Sequence, residues 1–204
     1  MLSIIDYDAG NTFNVIKAFK HLGIEVQLTD EPEKIMKSSG LILPGVGAFG
    51  PAMATLEKKG LIGVIKKAVL DNKIPLLGIC LGMQLLFEKS SEYGSHEGLG
   101  LIPGEVGLIP EKGDLKVPQM GWNENQLKKN ETDFAFIADE YTYFVHSYYA
   151  VCDKQYLIST VDYGVEIPAM VQNKNIFGTQ FHPEKSGAVG LKILKTFSEK
   201  VVRQ

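Results

Sequence analysis

Ile74-Pro75-Leu76-Leu77-Gly78-Ile79-Cys80-Leu81-Gly82-Met83-Gln84 is the stretch that decides the fold. From Ile74 to Ile79 it is a continuous apolar run, the pattern of a strand buried on both faces of a parallel sheet. The run leads straight into Cys80, and a helical pattern over Leu81–Glu88 begins at once. Glycine stands two residues before and two after the cysteine, the positions where a tight strand-to-helix turn is crowded. A side chain on such a turn is held up and exposed, and the following helix aims its N-terminus at the sulfur, which favours the thiolate as nucleophile. The plainer alternative is a buried core cysteine after an apolar run.

On the N-terminal side of this stretch, strand and helix signals alternate. Leu2–Tyr7 reads as a strand closed by a turn at Gly10-Asn11. Phe13, Val15, Ile16, Phe19 and Leu22 recur at helical spacing over Thr12–Leu22, with Asn11 or Thr12 as N-cap and Gly23 as the stop. Ile24–Leu28 and Leu41–Leu43 read as further strands, and Pro51 opens a helix in which Leu61, Val64, Ile65 and Ala68 share a face. The rhythm predicts an α/β fold in three layers, a mostly parallel central sheet flanked by helices. On the C-terminal side, short strand-like runs at Gly100–Ile109, Tyr141–Val151, Tyr156–Val161 and Ala169–Gln172 are punctuated by Pro103-Gly104, Lys112-Gly113-Asp114 and Asp162-Tyr163-Gly164. These predict an added antiparallel layer. A last helix is expected from Gly187 to Val202, with Ala188, Leu191, Leu194, Phe197 and Val201 on one stripe. Repeats, linkers and low-complexity tracts are absent, so residues 1–204 read as one domain.

Composition narrows the function classes. Of 204 residues, 45% are hydrophobic and 22% charged, enough to bury a sizeable core. Lys and Arg total 21 against 24 Asp and Glu, a net charge of -3, which argues against nucleic-acid binding through bulk basicity. The most apolar stretch, Ile74–Phe87, is too short for a membrane span and is interrupted by Pro75, Gly78, Gly82 and Gln84. The start reads as a strand and not as a signal peptide, so a cytoplasmic protein is expected. Two cysteines make no disulfide framework, and the Cys and His spacings supply no metal site. Cys152 is expected to be a buried structural thiol, and Lys58-Lys59 with Lys66-Lys67 a solvated helix face. Trp122 with Asn123 and Asn125 lies in an expected loop and reads either as a surface anchor for a partner or as ordinary packing.

A thiolate hydrolase needs a base. His21 sits in a helix beside lysines and His96 in a polar segment, so both read as surface residues. His182 follows the expected strand Ile176–Phe181, and Glu184 is two residues on, where an extended chain turns both side chains the same way. That would complete a Cys–His–Glu triad, with the carboxylate fixing the imidazole tautomer. Taken alone, His-Pro-Glu is equally a strand end turned by proline. Pro44-Gly45-Val46-Gly47-Ala48-Phe49-Gly50 follows the third strand and lacks the Gly-Lys-Ser/Thr ending of a phosphate loop. Its backbone N–H groups could serve as an oxyanion hole beside Cys80.

In combination, these residues resemble the class I (triad) glutamine amidotransferases, through Pro44-Gly45-Val46-Gly47, Gly78-Ile79-Cys80-Leu81-Gly82-Met83-Gln84 and Phe181-His182-Pro183-Glu184 in that order. Within that family, the chain is similar to the glutaminase subunits of imidazole glycerol phosphate synthase, the HisH type. That similarity rests on Ile5-Asp6-Tyr7 with Ala9-Gly10-Asn11, Pro118-Gln119-Met120-Gly121-Trp122-Asn123, Tyr143-Phe144-Val145-His146-Ser147-Tyr148-Tyr149 and the extension into Lys185-Ser186. Asp8 stands where many members have Gly, and Gln119 where a His is more usual.

The resemblance implies that Cys80 attacks the side-chain amide of L-glutamine to give a thioester and ammonia. It implies that His182 passes the protons and that Glu184 orients it. Val46, Gly47 and the Leu81 amide would form the oxyanion hole. Gly45, Gly82, Gln84, His146, Ser147 and Tyr148 would hold the glutamine. It further implies no cofactor, and a heterodimer with a cyclase (HisF-type) barrel subunit that receives the ammonia. The alternatives are an amidotransferase feeding another synthase, a stand-alone gamma-glutamyl hydrolase, or a non-catalytic module, the last of which would be expected to have lost part of the triad.

Overall fold

The structure, a computed structural model, describes all residues of the chain except Ala9, Lys112, Asp114, Arg203 and Gln204, and the side chain of Val202. Ala9 of the opening motif and two residues of the Lys112-Gly113-Asp114 turn thus lie outside the described residues. In chain order the first half runs β1 (Leu2–Ile5), α1 (Thr12–His21), β2 (Val26–Thr29), α2 (Pro32–Met36), β3 (Gly40–Gly45), α3 (Phe49–Lys58), α4 (Leu61–Lys66), a π turn at Lys67–Asp71, β4 (Leu76–Cys80) and α5 (Leu81–Gln84). The second half runs β5 (Lys89–Ser90), β6 (His96–Glu97), β7 (Glu105–Leu108), β8 (Gln119–Glu124), β9 (Gln126–Leu127), β10 (Tyr141–His146), β11 (Tyr148–Val151), β12 (Leu157–Asp162), β13 (Glu166–Asn173), β14 (Ile176–Thr179) and α6 (Gly187–Val202).

Eight strands form the central sheet in the order β2-β1-β3-β4-β14-β13-β12-β9. It is parallel from β2 to β14 and antiparallel beyond. Alternation along the strands feeds two cores, one on each face. In β3, Leu41 and Leu43 pack with Phe49, Leu56, Leu61 and Ile65. Ile42, Leu77 and Ile79 face the other way, onto Phe19, Phe177, Leu194 and Phe197. Helix α1 begins where the Asn11 side chain accepts the Asn14 N–H at 3.3 Å, and it stops at Gly23, whose φ of +71° suits a C-terminal glycine.

The structure departs from the sequence reading in several places. The helix expected to open at Pro51 and carry Leu61, Val64, Ile65 and Ala68 is instead α3 and α4, parted at Gly60 with φ +67°, and Ala68 lies in the π turn. The helix expected over Leu81–Glu88 is only four residues long, because the N–H groups of Leu86 and Phe87 bond three residues back, to Met83 and Gln84, and the Glu88 N–H goes to the Gly104 carbonyl instead of Gln84. Tyr141–Val151 is two strands broken at Ser147, one paired with β8 and the other with β7 in a different sheet. The expected loop around Trp122 is strand β8, and its Asn125 is buried, bonded to Glu140, Thr142 and Ser159, so it anchors structure and not a partner. In place of one added antiparallel layer, β13, β12 and β9 extend the central sheet, while six further strands form two separate small sheets, β11-β7-β5-β6 and β10-β8.

The parallel run sets the position of the site. Strands β3, β4 and β14 are neighbours with Gly45 opposite Cys80 and Thr179 opposite Ile79, so their carboxyl ends finish together. Chains leaving those ends converge in the crevice where open α/β sheets carry their ligands.

Candidate active site

Cys80 is both the last residue of β4 and the N-cap of α5, with φ 55° and ψ -113°. A non-glycine residue held there carries of order 1–3 kcal/mol of backbone strain, which persists only where the surroundings enforce it. The flanking glycines show the enforcement. A Cβ on Gly82 would lie 1.8 Å from the Leu43 carbonyl oxygen, and one on Gly78 would lie 2.6 Å from the Gly82 carbonyl oxygen. Helix α5 therefore sits directly on β3, and the chain must reverse at Cys80 with the thiol lifted into the crevice.

The base comes from beyond β14. His182 is extended (φ -93°, ψ 99°), and its Nδ1 is 2.8 Å from Glu184 Oε1. The carboxylate does not arrive along an extended strand, as the sequence suggests. The strand ends at Thr179, and a 3-10 turn at Pro183–Lys185 folds Glu184 back to the ring. The turn is pinned by Ser186 Oγ, which donates to the His182 carbonyl at 2.7 Å and accepts the Tyr143 N–H at 3.0 Å. Both side chains are almost wholly buried. Burial alone would lower the His182 pKa, but hydrogen bonds and charge from Cys80 and Glu184 outweigh it and push it up to about 9.

His146 behaves in the opposite way. Burial drives it down to about 4, against its bond to the Tyr148 carbonyl, and the charge of His182 adds to the burial effect. Its Nδ1 donates to that carbonyl at 2.8 Å, because a carbonyl can only accept. Two buried histidines thus stand on opposite sides of neutral pH. His182 can hold a proton beside a thiolate and release it to a leaving group; His146 stays neutral and braces its own segment.

Cys80, Leu81, Gln84, Val46, Gly47, His146, Ser147, Tyr148 and His182 line one cavity of about 330 Å³, at the small end for ligand sites. Gly45 and Gly82 are not among the lining residues; they are spacers behind the wall. A Cβ on Gly45 would meet Tyr7 Oη at 2.7 Å and Gly82 N at 2.8 Å. Gly47 is a glycine for another reason: its φ is +100°, with open space around the missing Cβ. Two lining or adjoining residues were not found from the sequence. Glu92 also lines the cavity, and its Oε2 accepts the Phe49 N–H at 2.7 Å. Gln180 lies fully buried behind the thiol, its Nε2 3.9 Å from Cys80 Sγ. Nothing local marks Glu92, whereas Gln180 keeps the two-residue spacing of His182 and Glu184 and that period was a usable signal.

The cavity lining contains no Lys or Arg. Among the described residues no group of three or more His, Cys, Asp or Glu is placed to hold a metal ion, and no helix is long and apolar enough to cross a membrane. Cys152, expected to be buried, is half-buried, with burial pushing its thiol up to about 11. His96 forms part of β6 and packs over Gly50.

Residues 3–201 match the family model of glutamine amidotransferase class-I. The chain is 53% identical to the imidazole glycerol phosphate synthase subunit HisH of Lactiplantibacillus plantarum over 98% of its own length and 96% of that protein. It is also 53% identical to the subunit of the same name from Streptococcus sanguinis, over 98% and 97%. A crystal structure of a glutamine amidotransferase superposes with a TM-score of 0.77 at 17% identity, covering 98% of each chain. The structure of PurLQS from Thermotoga maritima gives 0.76 at 19% identity, again over 98% of each. These two likenesses concern the fold.

Proposed function

The chain belongs to the class I glutamine amidotransferases, and from that premise we propose that it is the glutaminase subunit of an imidazole glycerol phosphate synthase, working as one amidotransferase domain in the cytoplasm. The observation that carries the reading is a strained cysteine at the end of β4 in contact with a buried, proton-holding His182–Glu184 pair.

On this reading the Cys80 thiolate attacks the side-chain carbonyl carbon of L-glutamine and the C=O electron pair moves onto oxygen. Backbone N–H groups at Val46, Gly47 and Leu81 receive that charge. Collapse of the intermediate breaks the C–N bond as His182 gives its proton to the departing nitrogen, leaving ammonia and a glutamyl thioester. His182, now neutral, takes a proton from water, whose oxygen attacks the thioester; glutamate leaves and the thiolate is restored. Glu184 holds Nδ1 throughout, so that Nε2 serves the reacting atoms. Glu92 supplies a negative charge suited to the substrate ammonium, and with no cation in the lining the substrate carboxylate falls to backbone N–H groups of the 146–148 segment. A cavity without cations also suits a substrate without phosphate.

The ammonia must then leave dry. The outer face of β8 and β10 carries Met120, Trp122, Tyr141, Tyr143 and Val145, with Met120 opposite Val145 and Trp122 opposite Tyr143. Val145 and its neighbour Pro118 also line the cavity, so this apolar face begins at the mouth of the site. Met120, Trp122 and Tyr141 are more than half exposed. An exposed apolar face of this kind is the mark of an interaction surface, and it supports docking of a (β/α)8 barrel cyclase subunit that converts its ribulosyl precursor, with ammonia, to imidazole glycerol phosphate and aminoimidazole carboxamide ribotide. The test is co-purification with that barrel subunit and a ribotide assay with glutamine. Product formation from ammonia but not from glutamine would overturn the glutaminase role.

A further inference from the structure

Four groups form a chain of hydrogen bonds from the cavity rim to the nucleophile. The Tyr148 carbonyl accepts from Gln84 Nε2 at 2.8 Å. The second hydrogen of that nitrogen goes to Gln180 Oε1 at 3.0 Å. Gln180 Nε2 then lies 3.9 Å from Cys80 Sγ. The direction of the chain is dictated at one end. A main-chain carbonyl can only accept, so the Gln84 nitrogen must face Tyr148, and both its hydrogens are then assigned. The Gln180 oxygen must take the second, and its own nitrogen is left pointing at the sulfur. Reversing Gln84 would set its oxygen against the Tyr148 carbonyl, acceptor against acceptor, and reversing Gln180 alone would set its nitrogen against that of Gln84, donor against donor, both in a buried place.

We propose that Gln180 is a positioning residue that holds the Cys80 sulfur by an amide N–H, with its orientation set from the substrate-facing Tyr148–Gln84 segment. The proposal rests on the reading of Cys80 as nucleophile and adds a second donor to it, besides His182. The main chain fixes Gln180 as firmly as its neighbours: its N–H donates to the Ala169 carbonyl at 2.9 Å, just past the end of β14. Gln180 and the base His182 stand two residues apart in the segment that leaves β14, and the 3-10 turn at Pro183–Lys185 then folds the orienter Glu184 back to the ring, so one short stretch of chain delivers all three. A distance of 3.9 Å is a loose bond to a neutral thiol and shortens when the sulfur is charged, since charged acceptors draw donors in. Gln180 thus favours the thiolate, and it holds the sulfur on the side of the cavity where His182 stands. Substrate occupying the Gln84–Tyr148 wall would pull on the same chain, tying head-group binding to the readiness of the nucleophile.

The test uses Gln180→Glu and Gln180→Met. The first keeps an oxygen for Gln84 and replaces the donor with a carboxylate; the second keeps the volume and removes both polar atoms. Wild type and variants are alkylated at Cys80 with iodoacetamide across pH, and glutaminase kinetics are measured alongside melting temperature. The alkylation midpoint is expected to move up by about one pH unit in Gln180→Met and further in Gln180→Glu. In Gln180→Glu, kcat should fall at least about tenfold with KM within about threefold, and the deficit should shrink as pH falls and the new carboxyl regains a proton to donate. Folded variants whose alkylation midpoints coincide with wild type would overturn the proposal. If neither variant folds, Gln84→Met, which frees the Gln180 amide to rotate, decides in the same assay: an unmoved midpoint overturns the relay. A wild-type Cys80 that resists alkylation altogether would instead bring down the nucleophile assignment itself.

Discussion

Replacing Glu184 by Gln removes one negative charge from a site where it cannot be replaced by water. The carboxylate is 1% exposed, lies 2.8 Å from His182 Nδ1, and its other oxygen has no partner among the described residues. His182 is held at about 9 against an ordinary value of 6.5. At 1.36 kcal/mol per pH unit, that corresponds to roughly 3 kcal/mol favouring the imidazolium in the folded protein. A group raised in this way contributes stability that is fully present below its unfolded value, about 6.5, and is lost as pH rises through about 9. Glu184 and Cys80 share the effect, and a hydrogen bond to a charged group accounts for about 1.5–3 kcal/mol. Urea unfolding at about pH 6 should therefore show Glu184→Gln less stable by about 2 kcal/mol, and the gap should close by about pH 10. An NMR titration of the His182 ring should show its midpoint falling toward the ordinary value in the variant. A stability gap of the same size at both pH values would refute the reasoning, because a loss that ignores the state of His182 is a packing loss and not a loss of charge support.

Other perturbations separate the parts of the site. Cys80→Ser in the complex with a barrel partner should abolish glutamine-dependent synthesis and leave ammonia-dependent synthesis nearly intact; losing both would indicate a structural role. His182→Ala should approach the Cys80 loss in glutaminase rate, while Glu184→Ala retains more, since an unoriented imidazole still moves a proton; the reverse order would invert the assignment of base and orienter. Gly47→Pro deletes one N–H proposed for the oxyanion hole and also forces φ to about -65° where the backbone stands at +100°, so its glutaminase rate should fall well below that of Gly47→Ala, which strains φ but keeps the donor; equal rates would count against that donor. Gly82→Ala drives a methyl to 1.8 Å from the Leu43 oxygen, and soluble protein with full glutaminase rate would contradict the account of the turn.

The legible parts of the fold were those whose signal is local and whose partners are sequence neighbours. Helix α6 runs over the residues its stripe predicts, and the strand-to-helix turn at Cys80 is announced by glycines whose missing side chains leave room for Leu43 and Gly82 backbone. What escaped was set by distant chain. Residues 81–87 are all buried, so nothing in their pattern marks where α5 ends; distant chain ends it, since the Glu88 N–H that a longer helix would give to Gln84 goes to the Gly104 carbonyl. Strand β8 was missed because Gln119, Gly121 and Asn123 alternate with Met120 and Trp122 in an inverted sense, polar residues inward and apolar ones outward. Cys80 and His182 drew notice for a related reason, since Cys and His are scarce in this chain, two and four, whereas Glu184 was marked only by its place two residues after His182. Glu92 is a common type in unremarkable surroundings that only the folded chain brings to the cavity, and Gln180 had no mark beyond its spacing of two from His182.

That inverted strand bears on how the site is used. A protein that hydrolysed glutamine for itself would have no reason to leave Met120, Trp122 and Tyr141 exposed beside a cavity whose rim includes Pro118 and Val145. Their exposure costs stability in the free chain through unburied apolar area, at about 25 cal/mol per Å², and that cost is recovered once a partner covers them. The polar inner face of β8 meanwhile ties the same strand back to β10 through paired residues Gln119 and His146. His146 in turn is bonded to the Tyr148 carbonyl, from which the Gln84–Gln180 chain leads to the sulfur. On the proposed reading, the surface that receives the barrel subunit and the amide that steadies the nucleophile are thus joined by two strands and three hydrogen bonds. Docking on the outer face can therefore alter the readiness of Cys80 without any residue of the partner entering the cavity.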